Sequence, residues 1–184
     1  MVYIHLAEGF EEVEALTVTD VLRRAGVDAK MVSITGSRTV CGAHGISVEA
    51  DLLFQEADYE ACEMIVLPGG MPGAKYLGEH EGLIRQIQAF AKAGKPLAAI
   101  CAAPMVLGAC GVLQGKRACI YPGMEDELKG AEVSSENVTV SDHIITGMGP
   151  ALAMEFALSL VQTLKGPKVR DEVAGGLLYD RISK

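Results

Sequence analysis

The chain has 184 residues, with 16 basic and 24 acidic side chains and a formal charge of -8. At roughly 100–200 residues per domain, one domain spanning 1–184 is expected. Apolar residues are 49% and charged ones 22%, which excludes a disordered chain; Lys and Arg form no cluster, which argues against dedicated nucleic-acid binding.

Val2 to Ala7 is short, apolar and bounded by Glu8-Gly9, so it predicts a buried strand. Glu11 to Ala25 has helical periodicity and stops at Gly26, a residue suited to the position just past a helix end. Asp28 to Ile34 predicts a second strand, and the first 34 residues therefore form a β-α-β unit. The Gly-rich stretch Thr39 to Val48 predicts short hairpin strands. Met64 to Leu67 is a core strand closed by Pro68-Gly69-Gly70. Glu81 to Ala93 predicts an amphipathic helix ending at Gly94, Leu97 to Ile100 a core strand, and Pro104 to Ala109 a helix. Strands are expected at Arg117–Ile120, Val138–Val140 and Ile144–Thr146, the last two joined by a tight turn near Asp142. Pro150 opens a helix to about Leu164, and Val169 to Ala174 adds a short one. Strands alternating with helices predict a three-layer α/β/α sandwich with a mostly parallel sheet.

The five cysteines, Cys41, Cys62, Cys101, Cys110 and Cys119, include no C-x-x-C pair and no zinc-finger spacing. With no charged segment ahead of the first strand, they read as reduced thiols of a cytoplasmic protein. The apolar runs contain Gly, Pro and Ala breaks and predict core rather than a membrane span. No Walker loop, H-E-x-x-H or strand-linked G-x-G-x-x-G is present, so neither a metal nor an organic cofactor is expected.

Cys101 ends a buried strand and is followed within a few residues by a helix. Ala99, Ala102 and Ala103 supply the small neighbours that so tight a turn needs. This places the sulfur outside the carboxyl end of a strand, where open α/β sheets hold their sites. The helix N-terminus is expected to lower the thiol pKa from ~8.5 toward ~5.5. A buried core cysteine is the alternative. Cys62, Cys110 and Cys119 are expected in the core, and Cys41 in an exposed, oxidisable loop.

Glu14 shares a helical stripe with Val18, Val21 and Ala25, so it points with the apolar face, whereas Glu12 is expected to point into solvent. A buried carboxyl is protonated or paired, and it can donate to a thiolate or shuttle protons; a satisfied structural Glu is the alternative. Gly69-Gly70 allows backbone N–H groups to approach a ligand, as an oxyanion hole requires, and Gly147-Met148-Gly149-Pro150 makes a similar corner. His5, His44, His80 and His143 complete no triad.

Glu11-Glu12-Val13-Glu14, Leu67-Pro68-Gly69-Gly70, Ala99-Ile100-Cys101-Ala102 and Gly149-Pro150-Ala151 through Glu155-Phe156-Ala157-Leu158 follow one another in an order that resembles the ThiJ/PfpI superfamily, in its DJ-one-like branch. The resemblance implies a flavodoxin-like homodimer. It implies a reactive cysteine at Cys101, an acidic partner at Glu14, and backbone donors at Gly69, Gly70 and Ala102. Arg24 is implied to approach the site from the other subunit, and Cys41 to be a peripheral oxidisable thiol. The implied activity is cofactor-free conversion of small aldehydes such as methylglyoxal to hydroxy acids, of glyoxalase III type, with protein deglycation. Redox sensing or a stress-chaperone role through the same cysteine is the rival. Ala102 stands where protease relatives carry the His of a Cys-His pair, so peptidase activity is not expected. Tyr121 and Met148 replace a His and an Arg that line the cleft, with Gly149 and Pro150, in human-like members.

Overall fold

The core strands are apolar at nearly every position because helices cover both faces of the sheet. The computed structural model describes residues 1–181. In chain order the elements are β1 (Val2–Leu6), α1 (Glu12–Arg24), β2 (Ala29–Ser33), β3 (Thr39–Cys41), β4 (Ser47–Glu49), β5 (Leu52–Leu53), β6 (Met64–Leu67), α2 (Gly73–Glu79), α3 (Glu81–Ala93), β7 (Leu97–Ile100), α4 (Pro104–Ala109), β8 (Arg117–Ala118), β9 (Glu132–Val133), β10 (Val138–Ser141), β11 (Ile144–Gly147), α5 (Ala153–Lys165) and α6 (Pro167–Gly176).

Seven strands make the main sheet in the order β10-β11-β7-β6-β1-β2-β5. All neighbours run parallel except the β10–β11 hairpin, which turns at Asp142 with φ 53. Strand residues alternate between two cores. Val2, Ile4, Leu6, Val66, Ala98 and Ile100 pack with buried residues of α1 and α5. Tyr3, Ile65, Leu67, Leu97 and Ala99 face Leu77, Ile87 and Val106 of α2, α3 and α4. The result is the three-layer sandwich expected from the alternating pattern. Each fully buried Leu or Ile contributes about 1.5–3 kcal/mol, so the six fully buried members of that size on β1 and β6, Ile4, Leu6, Met64, Ile65, Val66 and Leu67, anchor the sheet centre.

The expected helix ends are present. Gly26 has φ 69 and donates to the Arg23 carbonyl at 3.0 Å, and Gly94 has φ 66 at the end of α3. At the other end of α3, His80 caps by accepting the Leu83 N–H at 3.0 Å. Two expectations change. Only Arg117–Ala118 of the stretch to Ile120 is strand, and it pairs with β9 outside the main sheet. The next residue, Cys119, gives its N–H to the Thr146 hydroxyl at 2.9 Å rather than to a strand neighbour. Pro150 opens a single 3-10 turn, Pro150–Leu152, before α5 begins. Among the described residues no helix is long and apolar enough to cross a membrane.

Candidate functional site

Three parallel strands, β1, β6 and β7, end side by side, and the loops that leave them meet at Cys101. Cys101 has φ 62, a left-handed conformation rare for a residue with a Cβ and usually held in place by its surroundings. Here its N–H donates to the Gly147 carbonyl at 2.9 Å, and its carbonyl accepts the Tyr121 N–H at 2.9 Å. The strand–Cys–helix turn thus fixes the direction of the side chain from both backbone ends.

The corner after β6 lies against it. Gly69 donates its N–H to Glu14 Oε2 at 2.7 Å, and its carbonyl accepts the Glu11 N–H at 2.9 Å. A Cβ at Gly69 would lie 2.7 Å from the Cys101 Cβ and 2.9 Å from Glu14 Oε2. Gly70 has φ 86, and a Cβ there would meet the Glu11 nitrogen at 2.5 Å. Both positions therefore require glycine, one for approach and one also for conformation.

Glu14 is fully buried, as the stripe on α1 predicts. Burial pushes its carboxyl up to about 7, against the Gly69 N–H that pulls it down. With Glu14 ionised, burial and then the facing carboxylate push the Cys101 thiol up to about 12, while the N–H groups of Ala102 and Gly70 pull it down. The depressed thiol expected from the helix terminus alone therefore meets a different balance: the two groups resist ionising together and share a proton. Glu14 Oε1 is buried with no hydrogen-bond partner, and the N–H groups of Ala102 and Gly70 favour negative charge on the sulfur. A proton on that oxygen is donated to the sulfur, which satisfies Oε1 and leaves the charge where those N–H groups favour it.

Glu12 departs from expectation. It is buried, and its carboxylate accepts the backbone N–H of His44 at 2.7 Å and of Ile46 at 3.3 Å, with His44 Nδ1 at 2.9 Å. It passes directly under Gly42, where a Cβ would overlap it. Burial pushes its pKa up, but these hydrogen bonds outweigh burial and hold it below the usual carboxylate value. Glu12 thus clamps the β3–β4 loop onto the start of α1. Glu11, Glu12 and His44 place one ligand atom each within 4.8 Å of one another, the one such trio among the described residues. Glu12 already uses both oxygens on the loop, which accounts for the trio without a metal.

A cavity of about 380 Å³ opens over Cys101 and Ala102, walled by Met71, Tyr121, Pro122 and Met124. Gly149 backs the Tyr121 ring, with a Cβ position 3.5 Å from its Cδ2, and Pro150 follows. Met71, Pro122 and Met124 carry no motif that sequence reasoning could detect. Arg24 lies ten residues beyond Glu14 on α1, about 15 Å along the axis. It pairs with Asp20 at 2.6 Å and lines a separate groove with Val169 and Val173. In one chain it does not reach Cys101. Cys41 is half-buried in β3, its N–H 3.2 Å from Glu8 Oε2. His5 is buried against the Tyr59 hydroxyl at 2.7 Å, and burial pushes it down to about 3. Among the described residues no imidazole lines the Cys101 cavity.

The profile of the DJ-1/PfpI family matches residues 1–163. Protein dj-1beta of Drosophila melanogaster is 35% identical over 175 residues, covering 94% of each chain. The glutathione-independent glyoxalase DJR-1.2 of Caenorhabditis elegans is 33% identical, covering 88% of this chain and 86% of that protein. The chain spans 38% and 46% of the length of two Arabidopsis thaliana relatives, DJ-1 homologs B and A, at 34% and 36% identity over 90% and 96% of this chain. The solved structure of oxidized Toxoplasma gondii DJ-1 superposes with a TM-score of 0.93 at 36% identity, covering 96% of this chain and 97% of that one.

Proposed function

The chain belongs to the DJ-1/PfpI family, and from that premise we propose that it is a cofactor-independent enzyme converting small α-oxoaldehydes to 2-hydroxy acids at Cys101. The observation that carries the reading is the buried Glu14 carboxyl held behind Gly69 beside the sulfur. A glyoxalase among the relatives supports the reaction class.

The Cys101 sulfur adds to the aldehyde carbon of methylglyoxal, and the proton shared with Glu14 goes to the aldehyde oxygen, giving a hemithioacetal. Glu14, now ionised, takes the hydrogen of that carbon as a proton. The electron pair moves into an enediol, and the proton returns to the neighbouring carbon. One carbon is oxidised and its neighbour reduced, so no external oxidant enters. The product is a thioester of lactate; water hydrolyses it, releasing lactate and the thiol. The Gly70 and Ala102 N–H groups would hold negative charge near the sulfur. A carboxyl pushed up to about 7 is matched to both halves of the proton transfer.

The proposed working unit is a homodimer. Val13 and Leu16 give α1 an exposed apolar face beside the site, and Arg24 would reach a Cys101 cleft only in a second copy. The test is lactate formation from methylglyoxal without added thiol. Cys101→Ser should abolish it; turnover unchanged in that variant would remove the proposal.

A second reading rests on the oxidized state of the Toxoplasma relative. In it, peroxide oxidises the Cys101 thiolate to a sulfinate, two peroxides becoming two waters, and protonated Glu14 hydrogen-bonds the new oxygens. Mass spectrometry after mild peroxide tests it; Cys101 remaining a thiol while other cysteines oxidise would sink it.

A further inference from the structure

The walls of the cavity over Cys101 carry a substrate preference. Met71, Tyr121, Pro122 and Met124 surround the sulfur, and among the described residues of one chain no charged side chain lines the space. In the single chain Met71 is 53% and Tyr121 48% exposed, so apolar surface borders the nucleophile. The polar groups gathered at the sulfur, the Glu14 carboxyl and the N–H groups of Gly70 and Ala102, suit the reacting carbonyl, while Met71, Pro122 and Met124 leave the far wall apolar. A cavity of about 380 Å³ is at the low end of drug-sized ligand sites. The methyl group of methylglyoxal fills little of it.

We propose that this site prefers α-oxoaldehydes bearing a bulky apolar or aromatic substituent, with Met71, Tyr121 and Met124 as the residues that set the preference. The inference rests on the oxoaldehyde reading above. The aldehyde carbon bonds to sulfur as before, and the substituent on the ketone carbon lies between the Tyr121 ring and the two thioethers. Ring and thioether contacts suit an aromatic group, since methionine sulfur packs favourably against ring edges. Transferring that group from water to the cleft adds binding energy that a methyl group cannot supply.

The experiment compares kcat/KM for phenylglyoxal and methylglyoxal, measured as mandelate and lactate formed. A preference for phenylglyoxal of about tenfold or more is expected, the scale of apolar-pocket discrimination. In Met71→Asn and Met124→Ser the ratio should fall toward one. Alongside it, protection of Cys101 from iodoacetamide by mandelamide and by lactamide reads the cleft without turnover; mandelamide should protect at about a tenth of the lactamide concentration. Turnover of both aldehydes with a ratio at or below one overturns the inference and leaves the oxoaldehyde reading standing. Turnover of neither, with mandelamide still the better protector, overturns that reading and supports the cleft preference. Equal protection by the two amides overturns the preference in every case.

Discussion

Glu14 and Cys101 face each other across Gly69, at whose position a Cβ would lie 2.9 Å from Glu14 Oε2 and 2.7 Å from the Cys101 Cβ. The missing side chain of Gly69 is what allows an acid on α1 and a thiol at the end of β7 to act as one titrating unit.

That unit predicts the shape of the pH–rate profile. Below about pH 7 the pair takes up a second proton, leaving neither thiolate nor free carboxylate. Removing its last proton is opposed strongly, because with Glu14 ionised the thiol is pushed up to about 12. kcat/KM for an oxoaldehyde should therefore fall as pH drops through about 7 and stay flat above it, with no falling limb up to about pH 10. Steady-state assays across that range check it.

Stability carries the same signature with a definite sign. The Glu14–Cys101 pair keeps its second proton to about pH 7 in the folded chain, whereas an exposed Glu loses its own near 4.5. Between those values the native state binds more protons than the unfolded one. The stabilisation is complete below 4.5 and is lost as pH rises through about 7. Urea midpoints of the native protein should decline across this window, and those of Glu14→Gln should decline less.

Gly69→Ala probes the approach directly. The added methyl cannot fit without separating Glu14 from Cys101 or shifting the Ala102 nitrogen, 3.0 Å away. A misplacement of about 1 Å at a reacting centre costs on the order of 10²-fold in rate. Activity should fall by that order while circular dichroism stays native.

Glu12→Ala should loosen a different part of the molecule. It removes the acceptor for the His44 and Ile46 backbone N–H groups. Hydrogen bonds to a charged group contribute about 1.5–3 kcal/mol each at most, so a loss of about 2 kcal/mol is expected. Hydrogen exchange should rise first at His44 and Ile46.

Much of this arrangement is legible in the sequence because it depends on local pattern. The apolar strand before Cys101 and the small residues after it announce the turn, and the stripe on α1 places Glu14 toward the core. Glu12 was not legible. A helical wheel reports only the packing of α1 on the sheet, while the burial of Glu12 comes from a loop thirty residues later that folds over it. The charge balance at Cys101 was also hidden. α4 supplies only a short helix beside it, and the burial that opposes ionisation is a property of the assembled cleft. Tyr121 and Met124 enter that cleft from an irregular loop with no periodicity to read.

The central claim is that the pair holds one proton at neutral pH with the charge on sulfur. The rate of iodoacetamide labelling of the Cys101 peptide, followed against pH by mass spectrometry in otherwise native protein, tests it most directly. The account predicts a midpoint near pH 7, where the pair loses its first proton. A midpoint at or above the ~8.5 of an ordinary thiol would put the charge on Glu14 and contradict it.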